Sequence, residues 1–189
     1  MMRWLTKYRN HIIGLGFFFL LISFLLFIHL GKRQGPEARD SEKSRLIRIN
    51  KSAIRPDDGD TFYYKGVPIR VLGIDAPEII HKEHGISQDQ PYGRQAAAMI
   101  VDLFKKAKII EYLPAQNDKY GRLLAHVFVD GELLSIHLIK AKLAYENVSY
   151  YGDNGFPDLA ERILKAAKES PSLPFEDPYK WRRKHQIRK

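Results

Sequence analysis

The sequence contains no cysteine among its 189 residues. Disulfide scaffolds, thiolate-bound zinc, iron–sulfur clusters and cysteine nucleophiles are therefore excluded. The length allows one ordinary domain with a short appendage, but not two large domains. Hydrophobic residues make up 44% of the chain and charged residues 28%, which is typical of a globular protein and not of a disordered one.

Acidic residues are missing from both ends of the chain. Residues 1–31 carry three basic side chains and residues 180–189 carry six, and neither stretch contains an Asp or Glu. The other 22 Lys and Arg residues lie within 32–179 and equal the 22 Asp and Glu residues in number. The body of the protein is therefore formally neutral, and the net charge of +9 does not by itself indicate nucleic-acid binding.

Asp, Glu, Lys and Arg are absent from Ile12–Leu30, an apolar run of 19 residues. At a rise of about 1.5 Å per residue, such a helix nearly spans the hydrocarbon core of a bilayer. A cleaved signal peptide is the alternative, but its apolar region is shorter, roughly 7–15 residues, and ends in a small-x-small site that is missing here. We predict an uncleaved single-pass anchor within 1–31. The N-terminal tail is too short to be a translocated domain, so the body is predicted to be extracytoplasmic.

The chain after the anchor divides into a linker and a folded body. Residues 32–44 are polar and interrupted by glycine and proline, which indicates a flexible tether. Alternating apolar residues and turn signals predict strands at 45–54, 61–64, 67–74, 108–113 and 123–129. Apolar residues at helical spacing predict helices at 93–107, 133–141 and 157–170. Residues 45–170 are thus predicted to form an α+β domain, a five-stranded OB-type barrel with about three packed helices.

Carboxylates and arginines recur in four short segments of the body: Asp58–Thr61, Arg70, Asp75–Glu78 and Asp118–Arg122. Asp60 and Asp75 lie at the two ends of a short hairpin-like unit, so their carboxylates can converge at one rim of the barrel. Two carboxylates with backbone carbonyls and water form an all-oxygen site, which suits Ca²⁺ or Mg²⁺ and not zinc.

The same segments supply groups for chemistry at phosphorus. Glu78 follows a rigid proline and is placed to take a proton from water. Arg70 and Arg122 offer planar forks that bind phosphate at two points. A cation, a carboxylate base and two arginines are the parts of a phosphodiesterase. Each segment alone is unspecific, because DGD is a common turn and Tyr-Gly-Arg occurs twice; only their joint occurrence favours this function.

In this order and spacing the segments resemble the thermonucleases, which are staphylococcal-nuclease-like proteins. The resemblance covers about residues 45–169. It is carried by DGDT at 58–61, IRVLGIDAPE at 69–78, YGRQAA at 92–97 and DKYGR at 118–122. The resemblance implies an OB barrel with three helices that hydrolyses DNA and RNA using Ca²⁺, in preference to Mg²⁺.

The resemblance also implies roles for single residues by matching position. The calcium ligands would be Asp60, Asp75 and the backbone carbonyl of Ala76, with Asp58 as a carboxylate just outside the ligand set. Glu78 would be the general base, and Arg70 and Arg122 would stabilise the phosphate. Lys119 and Tyr120 would bind a terminal phosphate.

Three features depart from the family pattern. Ala76 stands where the best-studied members have threonine, a change that a backbone ligand survives. The loop 79–91 is longer and contains His81 and His84, which are either a metal-binding pair or solvated side chains. Three tyrosines lie where the family has base-stacking tyrosines, but their surroundings do not align and no role is assigned to them: Tyr145, Tyr150 and Tyr151.

Residues 171–189 are predicted to be a basic tail. Its six cations and Trp181 favour contact with nucleic acid, with a solvated tail or binding to anionic lipid as alternatives. The predicted function of the chain is a membrane-anchored, calcium-dependent nuclease without an obligate protein partner. The alternatives are a catalytically silent OB module that tethers nucleic acid to a membrane, and a structural membrane protein that binds partners. Neither needs Glu78, Arg70 and Arg122, which are all present.

Overall fold

A curled, mostly antiparallel sheet forms the framework of the domain. The structure is a computed structural model that describes residues 45–187. Its strands are β1 (Ile47–Arg48), β2 (Ile54–Pro56), β3 (Thr61–Tyr64), β4 (Val67–Val71), β5 (Ile74–Asp75), β6 (Ile110–Asn117), β7 (Leu123–Val129), β8 (Glu132–Leu133) and β9 (Tyr145–Glu146). Its helices are α1 (Gly93–Lys106), α2 (Leu134–Lys140), α3 (Val148–Tyr151), α4 (Pro157–Glu169) and α5 (Pro178–His185). The predicted anchor (1–31) and tether (32–44) lie outside the described residues.

The order of the strands explains why the sheet closes on itself. Hydrogen bonds join the strands in the order β1–β6–β7–β4–β3–β2, and β8 adds to β7. The β4–β7 pair is parallel, whereas the other pairs of this sheet are antiparallel. β1 and β2 form opposite ends of this order, yet residues 49–53 alone join them. The two edges must therefore lie close together, and the sheet curls around the core as in an OB-type barrel with helices.

Two of the predicted strands are interrupted in the structure. The strand predicted at 45–54 is wrong as a single element, because the Asn50 side chain accepts the N–H of Ser52 at 3.1 Å and starts a 3₁₀ turn. The strand predicted at 67–74 stops at Val71, and Gly73 (φ 85°) turns the chain into β5. This second interruption matters for function because it directs Asp75 towards Asp60.

The three predicted helices are confirmed as α1, α2 and α4. In α1 the buried residues Ala96, Ile100 and Phe104 recur every fourth position and form one apolar stripe. The ring of Phe104 packs edge-on against Phe62 of β3, with 5.1 Å between the ring centroids. This contact fixes α1 over the barrel. Within 45–187 no helix is both long and apolar enough to cross a membrane.

The segment predicted as a basic tail contains helix α5. The Asp177 side chain caps this helix by accepting the N–H of Lys180 at 3.0 Å, and Pro178 occupies its first turn. Trp181 is only 4% exposed and stacks on His185 with 4.4 Å between the ring centroids. Residues 178–185 are therefore part of the folded domain.

A buried histidine in β7 predicts how stability depends on pH. His126 is 3% exposed, packs against Phe156, and neither ring nitrogen has a hydrogen-bond partner among residues 45–187. Burial, with a smaller contribution from Arg162, lowers the pKa of His126 to about 4. The unfolded chain binds this proton near its usual value of about 6.5, so the free energy of unfolding should fall as pH drops from about 6.5 to about 4.

We expect His126→Leu to remove this part of the pH dependence, which is worth at most about 3 kcal/mol. Urea unfolding at pH 7 and pH 5 measures the difference between the two variants directly. His84→Leu, at an exposed position, should show the same change in the free energy of unfolding between the two pH values as the parent protein. The same change in all three proteins would mean that His126 is protonated in the folded state as easily as in the unfolded chain.

Candidate active site

The turn between β2 and β3 places the first carboxylate. Asp58 accepts the backbone N–H groups of Asp60 and Thr61 at 2.9 and 2.7 Å, which fixes the shape of the turn. A Cβ atom on Gly59 would lie 2.7 Å from the Cβ atoms of Ala76 and Ala96, so only glycine allows this close packing. The Asp60 side chain is consequently held in the interior, 2% exposed.

Arg70 joins the two carboxylates that the sequence predicts to converge. It lies on β4 opposite Thr61, the first residue of β3, which Asp60 directly precedes. Its Nη1 pairs with Asp60, and its Nη2 donates to Asp75 Oδ1 at 2.7 Å. Asp60 Oδ2 in turn accepts the backbone N–H of Ala76 at 2.8 Å. Four of the predicted site residues thus form one connected, largely buried group: Asp60, Arg70, Asp75 and Ala76.

The backbone of Glu78 is clamped by a buried glutamine. Gln90, 1% exposed, accepts the N–H of Glu78 through Oε1 at 3.2 Å and donates its own N–H to the Glu78 carbonyl at 2.9 Å. Gly93 packs against that same carbonyl so closely that a Cβ atom would clash with it. The side-chain amide of Gln90 donates to the carbonyl of Glu176 at 2.5 Å. The position of Glu78 is therefore tied to the segment that leads into α5.

Helix α5 contributes an arginine that the sequence analysis did not place at the site. Arg182 Nη1 donates to Glu78 Oε1 at 2.5 Å, and Arg182 Nη2 donates to Asp75 Oδ2 at 2.8 Å. A third hydrogen bond joins Nη1 to Asp75 Oδ1 at 3.2 Å. The guanidinium therefore bridges a predicted metal ligand and the predicted base. The capped sequence Asp177-Pro178 followed by Trp181 is a helix signal that could have revealed α5.

Burial and charge shift the pKa values of the three carboxyl groups in different directions. Burial raises the pKa of Asp60 to about 7, against the attraction of Arg70 and with a further increase from Asp58 and Asp75. Burial also raises the pKa of Glu78, and the ion pair with Arg182 offsets this only in part. At Asp75 burial acts in the same direction, but Arg70 and Arg182 together outweigh it and lower the pKa.

Comparison with known proteins identifies the family of this chain. The sequence pattern described as staphylococcal nuclease homologue matches residues 68–171, more than half of the chain. The chain belongs to this nuclease family. It is 32% identical over 125 residues to a thermonuclease of Staphylococcus hyicus, covering 64% of this chain and 70% of that protein. It is 36% identical over 137 residues to the endonuclease YncB of Bacillus subtilis, covering 68% and 64%.

A prophage-derived endonuclease of Bacillus subtilis, YokF, is 34% identical over 120 residues, which is 60% of this chain and 40% of that protein. The family is therefore shown at moderate identity, and the names of these relatives support a nuclease hydrolase function at family level. The chain spans about two thirds of the length of the first two relatives. The carboxylate and arginine segments Asp75–Glu78 and Asp118–Arg122 both fall within the region matched by the family pattern.

The second arginine of the predicted nuclease site lies in a separate loop. Arg122 Nε pairs with Asp118 Oδ2 at 2.8 Å, and Asp118 Oδ1 accepts the N–H groups of Tyr120 and Arg122, both at 2.9 Å. Burial raises the pKa of Asp118, but these hydrogen bonds and the ion pair outweigh it and lower the value. Leu123 pairs with Ile69, so this loop lies beside the strand that carries Arg70. Tyr120 is 72% exposed and contacts Lys119, 4.9 Å from Nζ to the ring centre.

The loop 79–91 brings one histidine close to the turn that precedes β3. His81 Nε2 lies 3.4 Å from Asp57 Oδ1, and Asp57, Asp58 and His81 each offer a ligand atom within 4.8 Å of the others. This group includes His81 but not His84, whose ring packs edge-on against that of His81 at 5.7 Å. The two histidines thus lie side by side, and His81 is the one that belongs to the group with Asp57 and Asp58.

The three tyrosines to which the sequence assigns no role differ in exposure. The Tyr145 hydroxyl donates to the carbonyl of Phe175 at 2.8 Å, and its ring packs against Phe175, so Tyr145 supports the chain that leads to α5. Tyr150 and Tyr151 are 74% and 63% exposed, with 4.7 Å between their ring centroids. Tyr179 of α5 lies beside Tyr150, at 6.3 Å. The exposed rings thus form one surface cluster.

Proposed function

We propose that the protein is a membrane-anchored, calcium-dependent nuclease that hydrolyses phosphodiester bonds in DNA or RNA. The observation that carries the proposal is the convergence of Asp60 and Asp75 on Arg70, with Glu78 joined to Asp75 through Arg182. These residues come from separate turns and strands, and a purely structural role would not require three acidic groups in one buried place. Their arrangement provides a cation site, a base and a phosphate-binding group.

The donor set suits a hard divalent cation. Asp60 and Asp75 supply carboxylate oxygens, and the N–H of Ala76 is held by Asp60, so the Ala76 backbone lies at the same point. Oxygen ligands of this kind are those that Ca²⁺ prefers. Burial raises the pKa of Asp60 to about 7, and a positive ion beside the carboxylate favours its charged form. When bound, the cation would stabilise the negative charge that develops on a phosphoryl group.

The remaining groups have separate roles in the proposed reaction. Glu78 is the base that takes a proton from the attacking water, because its backbone is clamped by Gln90 and its carboxylate points to the same site as Asp75. Arg70, held in place by the two aspartates, presents its charge to the phosphate. Arg122, Lys119 and Tyr120 lie together in the loop 118–122 and are suited to holding a flanking phosphate.

The membrane part of the proposal rests on the sequence of residues 12–30. A span of this length and composition fits a bilayer, and the polar composition of residues 32–44, interrupted by glycine and proline, is typical of a linker. An extracytoplasmic domain without cysteine needs no disulfide to remain folded, because the barrel and its helices enclose an extensive buried core.

Nuclease assays on the full-length protein in detergent test this function. We expect cleavage of plasmid DNA, single-stranded DNA or RNA with Ca²⁺, and loss of cleavage with a chelator while some binding remains. Cleavage needs the cation at the site, whereas binding of the phosphate backbone depends mainly on basic side chains. Binding without cleavage under every cation tested would instead favour the silent OB module.

A further inference from the structure

Arg182 occupies the carboxylate oxygens that the proposed cation would use. Asp75 Oδ1 accepts from Arg70 at 2.7 Å and from Arg182 at 3.2 Å, and Asp75 Oδ2 accepts from Arg182 at 2.8 Å. Both oxygens of this ligand therefore already face guanidinium groups. Calcium binds carboxylate oxygens at about 2.3–2.6 Å, so a cation on Asp75 would lie close to the Arg182 guanidinium, and the two positive charges would oppose each other.

The same guanidinium also interferes with the base. Its Nη1 lies 2.5 Å from Glu78 Oε1, which is a short, charge-assisted hydrogen bond. An oxygen engaged in such a bond is less able to accept a proton from water. Because Arg182 holds both Asp75 and Glu78, removing it from one carboxylate weakens its hold on the other.

Contacts along the C-terminal segment fix where Arg182 lies. Trp181 is buried, and the chain on both sides of α5 is hydrogen-bonded to the loop 79–91, which follows Glu78. Gln90 donates to the carbonyl of Glu176 at 2.5 Å, before α5. After α5, the Gln186 side chain donates to the carbonyl of His84 at 2.8 Å and the Ile187 N–H to that of Gly85 at 2.9 Å. The approach of Arg182 to the site is therefore a product of the fold and not of one mobile surface side chain.

We propose that Arg182 competes with the divalent cation for Asp75 and Glu78, so that helix α5 holds the site closed until the cation binds. The proposal rests on the cation-dependent function above. A divalent cation and the Arg182 guanidinium repel each other strongly when both lie on the oxygens of the same carboxylates. Cation binding and the ion pairs of Arg182 are therefore linked, and each weakens the other by the same factor.

Calorimetric titration of the full-length protein with Ca²⁺ tests the competition without using activity. Arg182→Gln should bind Ca²⁺ more tightly than wild type, by about tenfold, within the roughly 5–150-fold range of common coupling between sites. Arg183→Gln changes the exposed neighbour on the same helix and should bind like wild type. Arg182→Lys, which keeps the charge but loses the fork, should fall between these two.

A purely structural role of Arg182 predicts a different result from competition. If Arg182 only stabilises the fold, Arg182→Gln should lower the melting temperature and leave Ca²⁺ affinity unchanged or weaker, which would overturn the inference. If Arg182→Gln does not fold, the Ca²⁺ affinity and melting temperature of Arg182→Lys are compared with those of wild type instead. Wild-type and Arg182→Gln proteins that both fail to bind Ca²⁺ would instead contradict the proposed calcium dependence itself.

Discussion

Glu78→Gln is expected to lower turnover by about 10²–10⁴-fold while nucleic-acid binding stays near that of wild type. A positioned general base contributes an effect of this size, and glutamine keeps the shape of glutamate but cannot take a proton from water. The Gln90 clamp holds the backbone of residue 78 and is unaffected by the change. Single-turnover cleavage with saturating DNA and Ca²⁺ measures the effect on the chemical step.

Stability distinguishes a catalytic role of Glu78 from a structural one. Burial raises the pKa of Glu78 despite its ion pair with Arg182. A carboxyl group with a raised pKa in the folded protein opposes folding above its unfolded pKa, because ionising it costs more in the folded state. At pH 7 the neutral glutamine removes this cost, so the melting temperature should not fall.

Glu83→Gln is the matched comparison for this experiment. Glu83 lies on the same loop but is exposed, so its replacement should leave both turnover and melting temperature near wild type. A Glu78→Gln protein that cleaves DNA as fast as wild type would rule out Glu78 as the base. A loss of activity accompanied by a lower melting temperature would point to a structural role.

The core of the site could be predicted because local rules dictate it. Asp58-Gly59-Asp60 is a turn signal, and Pro77 ends the strand after Asp75, so both carboxylates fall at strand ends. Alternation of apolar residues then gives the facing strands, and the register of Thr61 with Arg70 follows from the short hairpin between them. The turns, the strand ends and the short hairpin within residues 58–78 are sufficient to place these residues together.

The remaining parts could not be predicted, because the sequence is equally compatible with other contacts. Arg182 lies more than a hundred residues from Asp75 and Glu78, and its cation-rich surroundings are equally typical of an exposed tail. The break at Asn50 depends on one side-chain hydrogen bond that competes with a strand. For Arg122, sequence alone does not decide between substrate and Asp118, four residues earlier in the same loop.

Removing Asp60 should reduce the ability of Ca²⁺ to stabilise the protein. A ligand that binds only the folded state raises its stability by RT ln(1 + [L]/Kd), which is about 2.7 kcal/mol at a hundredfold excess over Kd. Asp60→Ala deletes a proposed ligand, so the rise in melting temperature with Ca²⁺ should become small. Higher Ca²⁺ concentrations should restore part of the rise, and part of the nuclease activity with it.

Asp102→Ala provides the comparison, because Asp102 is an exposed carboxylate on α1 that pairs with Lys106. It should keep the full rise in melting temperature with Ca²⁺. Without cation, the Asp60 carboxylate is costly to ionise because burial raises its pKa to about 7, so its deletion should cost less stability than loss of a favourable ion pair. A rise with Ca²⁺ equal to that of wild type would show that Asp60 does not bind the cation, and Asp75 would then have to hold it with other ligands.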